Sequence, residues 1–83
     1  MKERLIKMLN EMWQDAFFYK HYKPLNFLSI GMEIHKDIKK TEKTLKEVYK
    51  VTDKELDEIF EKQKQRFLEE NGLVKQKWLL NKY

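Results

Sequence analysis

The chain has 83 residues, with 18 Lys+Arg against 14 Asp+Glu, two His and no Cys. That length allows one small domain with one continuous core, and the absence of Cys excludes a disulfide framework or a thiolate metal site and fits a reducing, cytoplasmic setting. A hydrophobic content of 41%, with 13% aromatic residues, is too rich for a disordered chain.

The longest unbroken apolar run, Ala16 to Tyr19, is far short of the roughly 20 residues that a membrane span needs. Charge breaks up the first residues, Met1 to Lys7, before a signal-peptide core forms. From Leu5 onward, Leu5, Leu9, Met12, Trp13, Ala16 and Phe17 share one face of a 3.6-residue period, which predicts an amphipathic helix over 2–19. It stops within Lys20 to Pro24, because proline disfavours helical geometry in the residue before it.

A second helix is expected from Leu25–Asn26, with Asn26 as its N-cap. Phe27, Ile30, Gly31, Ile34 and Ile38 then line one face. Gly31 in that face implies either close approach of another backbone or a break that starts the helix later. Two capping boxes follow, Thr44-Leu45-Lys46-Glu47 and Thr52-Asp53-Lys54-Glu55. Val51 and Leu56 stand at the staple positions of the second. A short helix over 45–50 and a longer one over 53–70 are therefore predicted, the latter burying Leu56, Ile59, Phe60 and Phe67 and closing at Asn71-Gly72. Residues 73–83 read either as a final helical turn or as an extended basic arm. No stretch alternates with period two. The expectation is an all-α single domain over 1–83, of about four helices with a basic C-terminal tail.

Charge is unevenly spread. Residues 1–40 hold eight Lys/Arg against five Asp/Glu, 41–72 hold seven against nine, and 73–83 hold three Lys and no acid. A polyanion would meet the first half and the tail. Enzymatic chemistry has little support, since one Ser and two distant His offer no nucleophile–base pair and no Gly-rich phosphate loop. Glu33, His35 and Asp37 do not share a helix face, so no metal or cofactor is expected. A helix-turn-helix reading of 44–66 fails on Asp53, Glu55, Asp57 and Glu58, which DNA phosphates would repel. The segment Tyr19-Lys20-His21-Tyr22-Lys23 interleaves cations with aromatics. That pattern suits either unstacked bases and phosphates or the closing of a helix end with rings on the core.

The run Leu9-Asn10-Glu11-Met12-Trp13-Gln14-Asp15-Ala16-Phe17, then Lys23-Pro24-Leu25, Ile30-Gly31-Met32 and Asp37-Ile38, resembles the FinO/ProQ family of RNA chaperones. Thr52-Asp53-Lys54-Glu55-Leu56, Phe67-Leu68 and Gly72-Leu73-Val74-Lys75 extend the resemblance over nearly the whole chain. It departs at Asn26, where the family has Lys, at Asp57 and Glu58, where it has basic residues, and at Gln63, near its Tyr. The resemblance implies binding to structured RNA, at the base of a hairpin and its 3′ single-stranded tail. On that reading, amides near Asn26 to Ser29 would receive a terminal phosphate or ribose hydroxyl. Lys20, Lys23, Lys36 and Lys75 would supply charge and Tyr22 a stacking face. The alternative is a helical protein-interaction module, an inhibitor, adaptor or homodimer. Its signs are apolar residues in excess of one core, among them Phe18, Tyr19, Phe27, Leu28, Tyr49, Trp78 and Leu79, and a first helix carrying Met12, Trp13, Phe17 and Phe18.

Overall fold

The computed structural model describes residues 1–72, with only the backbone at Phe27 and Leu28. It is all-α: α1 (Lys2–Tyr22), a short α2 (Pro24–Asn26), a π-helical turn (Phe27–Gly31), α3 (Met32–Tyr49) and α4 (Asp53–Glu70). The first helix packs along both α3 and α4 and is the common wall of the fold. Its stripe runs as predicted, with Leu9, Trp13, Ala16 and Phe17 buried. Trp13 stacks on Phe17 at 5.7 Å and meets the edge of Phe60 at 4.8 Å. Phe17 meets Phe60 at 5.7 Å and Phe67 at 5.9 Å. Such ring pairs each add about 0.5–1.5 kcal/mol beyond their buried area. Trp13 and Phe17 are therefore spent on the core, and the first helix does not offer them as a dimer face.

The helix runs on to Tyr22, past the expected end, and breaks at Lys23 (φ −136°, ψ 60°) ahead of Pro24. Pro24 opens the next helical turn, the position where its missing N–H costs least. Asn26 is consequently not an N-cap. Its backbone is already helical (φ −78°, ψ −17°), its side chain caps nothing, and its N–H donates to the Lys23 carbonyl at 3.0 Å. From Phe27 the backbone widens into five π-helical residues, and Gly31 at their end is helical and buried.

The expected break at Thr44 is absent. One helix spans 32–49, and the Thr44 hydroxyl donates to the Lys40 carbonyl at 3.1 Å, four residues back. Ile34, Ile38, Leu45 and Tyr49 form its inner face. At Thr52 the capping box is complete: the Glu55 N–H donates to Oγ1 at 3.2 Å and the Thr52 N–H returns to Glu55 at 3.5 Å. Val51 and Leu56 are both buried beneath it.

Between α1 and α4 lies one buried polar contact. Gln63 is 4% exposed and stands on the apolar stripe between Phe60 and Phe67. Gln14 Nε2 donates to its side-chain oxygen at 2.8 Å and to its carbonyl at 3.0 Å. Gln14→Ala strands that oxygen in the interior and is expected to cost about 1–3 kcal/mol. Gln63→Leu should cost less, because Gln14 at the seam's edge still reaches water. Urea denaturation of both variants checks the asymmetry. The turn after α3 holds Lys50 in the left-handed region (φ 59°), where a side chain is strained. Lys50→Gly is expected to raise stability by about 0.5–1 kcal/mol, the relief of that strain less glycine's greater chain entropy, read in the same titration.

Candidate nucleic-acid interface

Of the six residues singled out for RNA, three line one groove. Tyr22, Lys23 and Asn26, with Pro24 and Leu25, form a shallow concavity where α1 gives way to the second helix. All five are exposed. The Pro24 break creates the concavity by turning the chain away from the end of α1. Tyr22 stands at its edge with its hydroxyl donating to Asn71 Oδ1 at 2.8 Å, so the phenol also ties the end of α1 to the end of α4. Its ring lies 5.3 Å from Phe18, 4.6 Å from His21 and 6.2 Å from Phe67, which fixes its orientation while leaving it 47% exposed. Both readings of the Tyr19–Lys23 segment thus meet in Tyr22: it closes a helix end, and nearly half of it stays in water.

Of the amides from Asn26 to Ser29 that the resemblance implies, that of Asn26 is already bonded within the chain. The helical turn begins at Pro24, which has no N–H. Asn26 can offer its exposed side-chain amide but not its backbone N–H.

Lys20 is half-buried on the other side of the α1 terminus and belongs to a cationic meeting point of two helices. His35 on α3 lies with its ring 6.0 Å from Trp13, edge-on. Burial pushes the His35 pKa below its ordinary value of 6.5, and the charges of Lys20 and Lys39 push it further in the same direction. Lys20 from α1 and Lys39 from α3 thus both disfavour the protonated imidazole. Lys36, exposed, precedes Lys39 on α3 by one turn. Lys75 lies outside the described residues, as do Trp78 and Tyr83.

Sequence reasoning passed over His35 as a participant. Its signal was the i, i+4 spacing to Lys39 on the helix that faces Trp13. Leu25, 88% exposed between Pro24 and Asn26, was also passed over.

A second groove runs between α3 and the start of α4, with Lys39, Lys43 and Lys46 along one side. Glu42, Glu47 and Asp53 share it, and Lys46 Nζ is paired with Asp53 at 2.8 Å. The hydrogen bond to Asp53, and then its charge, hold the Lys46 amine above its usual pKa. Mixed charge makes this groove a poor seat for a polyanion. Among the described residues, no group of three or more His, Asp or Glu side chains converges as a metal site, and no helix is long and apolar enough to cross a membrane.

Compared with protein-family models, curated proteins and solved structures, the chain matches none of them. The functional reading therefore stands on the chain's own residues.

The position of His35 has a consequence for stability. Its folded pKa is below the unfolded value of 6.5, so above pH 6.5 both states hold it neutral. As pH falls below 6.5 the unfolded chain takes the proton first and stability declines until the folded pKa is passed. His35→Gln should remove this part of the pH dependence, leaving a flatter midpoint-against-pH curve between pH 7 and the onset of carboxylate protonation, in thermal melts followed by circular dichroism.

Proposed function

We propose that this protein is a small RNA-binding domain, non-enzymatic and cytoplasmic, that holds structured RNA across the corner where α1 ends. The observation that carries this reading is the groove that sets the exposed Tyr22 next to Lys23 and Asn26. The Lys23 ammonium attracts a phosphate backbone, and the Tyr22 ring beside it, held in place but open to water, offers a stacking surface to an unpaired base. Lys36 extends the charge along α3. The start of α4, with Asp53, Glu55, Asp57 and Glu58, repels such a ligand on electrostatic grounds. The resemblance to FinO/ProQ chaperones supports a hairpin with a 3′ single-stranded tail as the target, with the Asn26 amide, already bonded to Lys23, taking no part in the contact.

One observation favours a second reading, a helical protein-interaction module. Met1, Met8 and Val48 are exposed, and Met1 and Met8 line a groove with Leu5 and Tyr49. Flexible methionines suit an adaptable apolar contact. Binding there would be insensitive to salt.

The two readings separate in one experiment. A labelled hairpin with a 3′ U-tail is titrated at two salt concentrations, beside the bare duplex and an unrelated single strand. RNA binding predicts preference for the tailed hairpin. It also predicts that Lys20→Ala with Lys23→Ala weakens affinity and reduces the log–log salt slope by about 0.7 for each lost contact to a single strand. Equal weak binding to all three RNAs, or a slope unmoved by the double substitution, rejects the reading.

A further inference from the structure

Tyr22 enters the groove already held at its far end. Its hydroxyl meets Asn71 Oδ1 at 2.8 Å, across a separation of 49 residues. Asn71 is in turn anchored twice to one atom. The Phe67 carbonyl accepts from Asn71 Nδ2 at 2.9 Å and from the Asn71 N–H at 3.1 Å, where α4 closes and Gly72 follows with φ +66°. A carbonyl only accepts, so the amide nitrogen faces Phe67, the amide oxygen faces Tyr22, and the phenol is the donor. Phe67 is 4% exposed and its ring lies 5.9 Å from Phe17. A line of contacts thus runs from the core through Phe67 and Asn71 to a ring that is 47% exposed.

This tether decides what the tyrosine offers a ligand. The hydroxyl proton is committed to Asn71, so the ring surface is what remains for an unpaired base. Three rings surround Tyr22: Phe18 inclined at 46°, Phe67 at 65° and His21 at 87°. None lies parallel to it, so these contacts confine the ring without stacking on it. The hydrogen bond at the end of the phenol removes the remaining swing. A stacking surface fixed before the ligand arrives loses less side-chain entropy on binding than one that must be ordered by it.

We propose that Asn71 is a positioning residue for RNA, presetting the Tyr22 ring for an unpaired tail base. It lies outside the lining of the groove and acts through Tyr22 alone. The inference rests on the reading of this groove as the RNA interface.

The test compares a hairpin carrying a 3′ tail with the bare duplex and reads the ratio of their affinities. A 2-aminopurine at the first unpaired tail position reports stacking at saturation through its quenched fluorescence. Tyr22→Ala should remove both the tail preference and the quenching. Tyr22→Phe keeps the ring and loses the tether, whereas Asn71→Leu keeps the tyrosine and loses the acceptor. Each should lower the tail preference by about two- to tenfold, the range of one net hydrogen bond, and restore part of the fluorescence. The two together should cost no more than either alone. Asn71→Asp gives up the same side-chain bond to Phe67 as Asn71→Leu but keeps an oxygen toward Tyr22. It should retain the preference and the quenching, so the difference between the two variants reports the tether and not the helix end. If Tyr22→Ala abolishes the preference while Asn71→Leu leaves it unmoved, the inference is overturned and the RNA reading stands. Additive losses from Tyr22→Phe and Asn71→Leu, or an Asn71→Asp variant as impaired as Asn71→Leu, overturn it in the same way. A tail preference absent from the unaltered chain, or unmoved by Tyr22→Ala, overturns the RNA reading of this groove and the inference with it.

Discussion

The fold depends on Trp13. It is almost wholly buried near the middle of α1, and it touches ring systems from both other long helices: Phe60 of α4 at 4.8 Å and His35 of α3 at 6.0 Å. A domain of this size has no second core to fall back on. The two long helices that follow are held through their shared contact with the first. Everything placed on the surface inherits its geometry from that arrangement. Lys20 lies two helical turns beyond Trp13 on α1, and its charge reaches His35 only because α3 is packed against the same helix. The candidate interface is thus a consequence of the core as much as of surface chemistry.

The two seams of α1 differ in character. Toward α3, Leu5, Met8 and Met12 line an open groove together with Asp37, Lys40, Thr41 and Thr44. Toward α4, Gln14 and Gln63 are joined inside a seam edged by Lys7, Glu11, Asp15 and Arg66. This amide pair contributes little net stability but penalises any register that leaves the buried Gln63 unpaired. That penalty selects one sliding position of α4 on α1, and hence where α4 ends. Its end, at Asn71, is what Tyr22 grips. The Gln14–Gln63 pair and the surface tyrosine thereby fix the same relation at two places along the seam.

The elements legible from the sequence were those decided by local chemistry. The α1 stripe, the Pro24 break, the Thr52–Glu55 box with its Val51–Leu56 staple, and the Gly72 turn each depend on residues within a few positions of one another. Where one pattern serves two conformations, sequence reading misfired. Thr44-Leu45-Lys46-Glu47 has the spelling of a cap, but in a helix whose inner face continues through Ile38 and Leu45 the threonine hydroxyl bonds backward to Lys40. Asn26 has the composition of a cap, but Pro24 had already started the turn. Gln63 sat in the apolar stripe unrecognised because its burial is made possible by Gln14, 49 residues away. The candidate site was legible in part for the same reason. Tyr22, Lys23 and Asn26 are neighbours in sequence and share one groove, whereas the meeting of Lys20, His35 and Lys39 required the packing of two helices.

If the protein binds RNA as proposed, the α1 corner is the surface that meets it. Amide chemical-shift mapping on addition of the tailed hairpin tests this most directly, because it reports location independently of affinity. Perturbations concentrated at Lys20 to Asn26 and at His35 to Lys39 are predicted. Perturbations confined to the Met1–Met8 and Val48 face, or spread evenly over the exposed lysines, would contradict it.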